Sequence, residues 1–158
     1  MATNTKKNID NLRQIGGVPY GNLTGLEFSF ETNASGVWVD SDQTSAVGIA
    51  DVCRLGILPA GFRPLFSIVT ISDAFTANST FDFGFAYVDG VDVTAVPQDA
   101  DYFYNDLDEA VGVTLKTSST APITLPKDAY LTLLNNTAAQ AAAGQLHIIV
   151  VGVLTGTP

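Results

Sequence analysis

The chain has one cysteine, Cys53, one histidine, His147, and one tryptophan, Trp38. A lone cysteine rules out an intrachain disulfide and any metal site built on cysteines. With a single histidine and no cysteine cluster, the usual zinc ligand sets cannot be assembled. Charge is also scarce: 15% of residues are charged, against about 25% in ordinary globular proteins. Basic residues are the rarest of these, and none occurs between Arg63 and Lys116. Long hydrophobic runs are missing too. The longest, Leu146–Leu154, is about half of what a membrane helix needs. The N-terminus MATNTKKNIDNLRQ has no apolar centre of the secretory kind. These absences point to a soluble chain made in the cytoplasm that does not enter a membrane. No GxSxG, P-loop or GxGxxG pattern occurs, so no catalytic or cofactor motif stands out.

The net charge is −9 and unevenly placed. Residues 1–22 carry Lys6, Lys7 and Arg13 against Asp10, a balance of +2. The remaining residues carry four basic and fifteen acidic side chains, a balance of −11. An acidic body repels phosphate backbones, so nucleic acid is not an expected partner. The basic N-terminal segment can dock on an acidic neighbour, since opposite potentials steer association; a short charged tail with no partner is the plainer alternative. Its apolar residues Ile9, Leu12 and Ile15 suit one helical turn or an extended anchor. Together Lys6, Lys7, Ile9, Leu12, Arg13 and Ile15 form the candidate partner-binding set.

From Leu23 the texture becomes that of strands. Leu26, Phe28 and Phe30 alternate with Glu27, Ser29 and Glu31, the pattern of a half-buried strand. Val37–Val39 reads as a short strand anchored by Trp38. Ala46–Leu58 reads as a long strand in which Gly48 and Gly56 mark a bulge or a close backbone approach. After the Pro59-Ala60-Gly61 turn comes Phe62–Ile71, with Pro64 at an edge or bend. Next is the clearest element, Phe81–Val88. Phe81, Phe83, Phe85 and Tyr87 share one face, and Asp82, Gly84 and Ala86 share the other. Asp89-Gly90 closes it as a turn. Val91–Asp108 is an acidic excursion, with Tyr102–Leu107 suited to a short helix. Val111–Lys116, Ala129–Leu134 and Leu146–Leu154 complete the strands, and Ile123–Leu125 suits an edge piece. Because Leu146–Leu154 is apolar at nearly every position, both of its faces are expected to be buried. Thr137–Gly144 is too short for a stable helix and reads as a loop.

Roughly eight strands with turns rich in Gly, Asn and Asp describe an all-β, single-domain β-sandwich or jelly-roll-like fold. The domain is expected over residues 23–158, with an N-terminal arm over 1–22. Cys53 then reads as a small buried hydrophobe, and His147 as a core or interface residue. Asp51 with Arg54, and Asp73 with Arg63, are candidates for structural cross-strand pairs. The seven acids between Asp89 and Glu109 favour a solvated loop over a calcium site, since their spacing does not match a calcium loop. No cofactor is expected, and no enzyme.

Arg54-Leu55-Gly56, Leu58-Pro59-Ala60-Gly61, Ile71-Ser72-Asp73-Ala74-Phe75 and Phe81-Asp82-Phe83-Gly84-Phe85-Ala86-Tyr87-Val88 resemble small virion proteins of tailed bacteriophages. The resemblance covers about residues 46–154 and points to head decoration, or cement, proteins. It implies a β-sandwich that oligomerises, often as a homotrimer, on the outer capsid surface, with the major capsid protein as partner and no catalysis. The alternative is a receptor- or carbohydrate-binding module of a phage head or tail fibre. Exposed loop aromatics at Tyr102, Phe103 and Tyr104 would favour that alternative, whereas the lack of a repeat shaft or coiled coil speaks against it.

Overall fold

The computed structural model describes residues 1–7, 23–117 and 122–155. Among these residues nine strands run in chain order: β1 (Thr3–Thr5), β2 (Leu23–Thr32), β3 (Val52–Leu58), β4 (Phe62–Asp73), β5 (Thr80–Tyr87), β6 (Asp99–Asp108), β7 (Gly112–Thr117), β8 (Ala129–Asn135) and β9 (Gly144–Leu154). No helix forms among the described residues. Pairing is nested. β5 joins β6, β4 joins β7, β3 joins β8 and β2 joins β9, all antiparallel. The result is a five-stranded sheet in the order β1-β3-β8-β5-β6 facing a four-stranded sheet in the order β2-β9-β4-β7. Without β1 this is an eight-stranded jelly roll, so the expected all-β sandwich is the fold.

The two inner faces meet over aromatic residues. Phe30 of β2 lies 5.4 Å from Trp38, 5.5 Å from Phe75 and 6.2 Å from Phe81 of β5, measured between ring centres. Further along, Phe83 packs edge-on against Tyr104 of β6. The Tyr104 hydroxyl crosses to the opposite sheet and donates to the Ser67 carbonyl at 2.9 Å. The alternation read in β5 holds, and Phe81, Phe83, Phe85 and Tyr87 are all buried. The other face of β5 is closed as well, because a Cβ on Gly84 would come within 2.0 Å of the Asp99 carbonyl oxygen. Gly56 has the role expected of an in-strand glycine. β3 slips register between Arg54 and Gly56, and a Cβ there would lie 2.3 Å from the Phe28 ring.

Five readings are corrected. Residues 46–51 are not strand, and β3 begins at Val52. Polar contacts hold this stretch instead: Asn135 donates to the Gly48 carbonyl at 2.9 Å, Asp51 accepts from the Gly48 N–H at 2.8 Å, and Ala50 sits at φ 63°. Residues 37–39 make only isolated bridges, Thr32 to Trp38 and Val37 to Ala46, although Trp38 is the buried anchor expected. Tyr102–Leu107 is part of strand β6 rather than a helix. Pairing with β5 wins over local propensity there, with register shifts absorbing extra residues and Asp82 accepting from the Asp106 N–H at 2.7 Å. Residues 123–125 are loop, fixed by Leu125 N–H to the Phe62 carbonyl and Gly61 N–H to the Leu125 carbonyl. β9 buries one face only; Leu146, Ile148 and Val150 point inward while Ile149, Val151 and Val153 are half-buried on the outside.

Phe30 contacts three rings from separate segments, so its loss leaves a cavity that no single neighbour can fill. Phe30→Ala is expected to cost about 3–5 kcal/mol, read as a lowered urea midpoint with an unchanged slope. A loss below about 1 kcal/mol, typical of surface changes, would show that the ring cluster does not hold the sheets together.

Candidate functional site

Among the described residues, the chemically reactive side chains do not gather. Cys53 is fully buried on β3, where burial pushes its thiol up to about 12 against a weaker opposing hydrogen bond from Asn4. A thiol held protonated is a poor nucleophile. His147 lies on the outside of β9, with Nδ1 3.4 Å from Glu27 Oε1 of β2. Lys6, Glu27, Phe28, Ser29 and His147 line an open cleft of about 280 Å³. Among the described residues, no three His, Cys, Asp or Glu side chains converge as a metal ion would require.

The acidic stretch is occupied by its own chain. Asp89 accepts from the Val91 N–H, Asp92 from the Val93 and Gln98 N–H groups, Asp99 from the Asp101 N–H and Asp108 from the Ala110 N–H. Lys127 donates to both Asp89 oxygens and to the Val91 carbonyl, and its Nζ lies 4.6 Å from the centre of the Tyr87 ring. That hydrogen bond holds the Asp89 carboxyl below its ordinary range. Burial raises the Tyr87 phenol, whose hydroxyl donates to the Val96 carbonyl at 2.6 Å. These carboxylates act as turn caps. The Arg54 guanidinium lies over the Tyr130 ring at 4.6 Å.

Of the six candidate partner-binding residues, Ile9, Leu12, Arg13 and Ile15 lie outside the described residues. Lys6 and Lys7 directly follow β1, which pairs parallel to β3 through Thr3–Val52, Asn4–Cys53 and Thr5–Arg54. Lys6 Nζ donates to Ser29 Oγ at 3.3 Å. The Lys7 N–H donates to the Asp40 carbonyl at 2.7 Å. Asn4 is buried, and the Ala2 N–H donates to Asp51 at 2.6 Å. The described part of residues 1–22 is therefore anchored on the sandwich.

A further surface lies on the outside of the four-stranded sheet. The outer face of the four-stranded sheet brings Phe66 and Ile68 of β4 beside Val151 and Ile149 of β9, all half-buried. Leu23 and Val113, at its margins, are 62% and 70% exposed. Apolar residues at both parities of β9 carry this signal, but they read equally well as burial on two sides.

No protein-family model matches the chain, and no curated protein matches it. Among solved structures, it is similar to a chain in the capsid of Ralstonia phage GP4. The identity is 19%, the match covers 99% of this chain and 100% of that one, and the TM-score is 0.67. It is also similar to a chain in the capsid asymmetric unit of cyanophage Pam1. There the identity is 15%, the coverage 90% and 92%, and the TM-score 0.57. At such identities the likeness is one of fold.

Burial of Cys53 has a measurable consequence. An unfolded thiol ionises near pH 8.5, whereas the folded one stays protonated to about 12. The folded state thus keeps a proton that the unfolded state releases. The stability from this group is complete below about pH 8.5 and is lost as pH rises toward 12. Between about pH 8.5 and 10.5 the melting temperature of the native chain should fall more steeply than that of Cys53→Ala. Parallel curves in calorimetry would refute the assignment.

Proposed function

We propose that this chain is a capsid decoration, or cement, protein of a tailed bacteriophage, binding the outer surface of the major capsid protein shell and stabilising it. The observation carrying this reading is the end-to-end fold match. A chain in a phage capsid is covered over 100% of its length by 99% of this one, so the likeness is to an entire chain of this size and not to a piece of a larger subunit. The described residues agree with a non-enzymatic role, since the histidine, the cysteine and the turn-capping acids between Asp89 and Asp108 have structural surroundings. The fibre-module alternative loses its supporting feature. Phe103 and Tyr104 are 5% and 3% exposed, and Tyr102 is half-buried against Phe85 and Phe103, so these rings offer no loop platform for a glycan.

In this reading Lys6, Lys7, Ile9, Leu12, Arg13 and Ile15 contact the capsid. The basic segment lets an otherwise acidic protein approach an acidic shell. Because β1 is part of the sheet, the segment would start from a fixed base beside Asp40. The protein would also associate with copies of itself, for which the resemblance implies three.

The test uses heads of the phage that encodes the chain, produced without it. Added protein should co-sediment with them at a fixed ratio and raise their disruption temperature. Absence of binding would overturn the decoration reading. Replacing Lys6, Lys7 and Arg13 by Gln should slow attachment at low salt, and the difference should vanish near 1 M salt, where screening shortens to about 3 Å. Equal attachment rates at low salt would remove the basic segment from the interface while leaving decoration intact.

A further inference from the structure

Asp89-Gly90 is the sole Asp-Gly pair in the sequence, and no Asn-Gly pair occurs. The turn after β5 needs both residues. Gly90 sits at φ 70°, a left-handed value that glycine adopts without strain. The Asp89 carboxylate accepts from the Val91 N–H at 3.0 Å, a short side chain bonding its own backbone two residues on. The same pair is chemically fragile. The Asp89 side chain is 52% exposed. No side chain on Gly90 shields its nitrogen, and a Cβ there would meet nothing within 4 Å.

The fragility is that of backbone isomerisation. The Gly90 nitrogen attacks Cγ of the protonated Asp89 carboxyl. The N–Cγ bond forms, the carboxyl hydroxyl leaves as water with the amide proton, and a cyclic succinimide results. Water then opens the ring at either carbonyl carbon. Attack at Cγ restores aspartate. Attack at the main-chain carbonyl carbon leaves the backbone running through the side chain, as isoaspartate, with no atom gained or lost overall. The step needs a protonated, movable carboxyl and a free amide, and the fold withholds both. Lys127 Nζ donates to the two carboxylate oxygens at 2.9 and 2.7 Å and holds the carboxyl below its ordinary range. Lys127 is itself fixed by the Val91 carbonyl and the Tyr87 ring. The Val88 N–H ties its segment to the turn by donating to the Asp128 carbonyl at 3.1 Å, and the Gly90 N–H is engaged by the Tyr87 carbonyl at 3.0 Å. The other titratable groups around Asp89 are Asp92, Asp128 and Tyr87. Without Lys127, the two neighbouring carboxylates favour a protonated Asp89.

We infer that Asp89-Gly90 is a site of isoaspartate formation and that Lys127 is the residue that suppresses it in the folded chain. The inference stands on the turn and its contacts, all among the described residues, and is independent of the capsid reading. Conversion lengthens the backbone at the end of β5 and moves the carboxylate away from Lys127, so the modified turn loses the contact that joins it to the segment before β8.

The test is prolonged incubation of the full chain at about pH 5, just above the ordinary aspartate pKa of about 3.9. Isoaspartate is counted by methyl transfer with an isoaspartyl methyltransferase and placed by peptide mapping with electron-transfer fragmentation. Losing an exposed ion pair of ordinary strength changes the protonated fraction about two- to fivefold, so Lys127→Gln should convert at least about twofold faster than the native chain. Lys127→Arg keeps a cation and should stay closer to the native rate than to that of Lys127→Gln. In concentrated urea all three should convert at one rate, faster than the folded native chain. Deamidation at Asn78-Ser79 and Asn136-Thr137, followed in the same maps, should not rise in Lys127→Gln, which separates loss of the guard from general loosening of the fold. A folded native chain that converts as fast as in urea, a Lys127→Gln variant below a twofold gain, an arginine variant as fast as the glutamine one, or a parallel rise at the two asparagines would each overturn the inference. None of these outcomes bears on binding to heads, which is measured separately.

Discussion

The sandwich depends on the contact of Phe30 with the rings around it. Phe30 comes from β2 in one sheet, Phe81 from β5 in the other, and Trp38 and Phe75 from the segments that follow β2 and β4. One ring therefore fixes the spacing of the sheets and the path of two connections. Offset and edge-on ring pairs add directional preference to simple area burial. With the sheets so placed, Tyr104 can reach Ser67 across the gap, and Gly56 must be bare because Phe28 occupies the space above it.

How much of this was legible in the sequence differed with the physics of each element. β5 was readable because alternation of aromatic and small residues has one physical meaning in a strand. β2 was readable from its alternation of apolar with polar residues, and β4 and β8 from apolar runs bounded by turns. β6 was not, since Tyr102–Leu107 has no strict period and its state is set by pairing with β5 through register shifts. Residues 46–51 misled in the opposite way: an apolar composition suggested strand, but Asn135 and Asp51 capture the backbone polar groups locally. Gly56 was understood as a bulge or a close approach, and it is both. The nested pairing was beyond reach, because antiparallel alternation does not say which strand is the neighbour. The candidate binding set was chosen by charge, which locates a segment without locating its docking geometry. Whether the second face of β9 is covered could not be read, because a central strand with apolar residues on both parities looks the same in either case.

Among the described residues, the two outer faces are finished differently. The five-stranded sheet is finished by its own chain, through Arg54 over Tyr130 and the backbone closing over Gly84. Its acidic margin spends carboxylates on turn caps, from Asp89 to Asp108. The four-stranded sheet carries the half-buried aliphatic row and the single histidine.

The position of β9 governs how the molecule is made. β9 lies between β2 and β4, and those two strands do not pair with each other. During synthesis, β2 and β4 leave the ribosome long before residues 144–154. Until those residues emerge, the four-stranded sheet lacks its middle, and the inner face of β2, with Leu26, Phe28 and Phe30, has no lateral support. At translation rates of about 5–20 residues per second, this exposure lasts on the order of seconds. The hairpin of β5 and β6 can close first, but the sandwich itself must fold after its last strand is released. Such late, long-range closure leaves apolar surface and unpaired strand edges exposed while the chain is nascent, the condition under which chains aggregate.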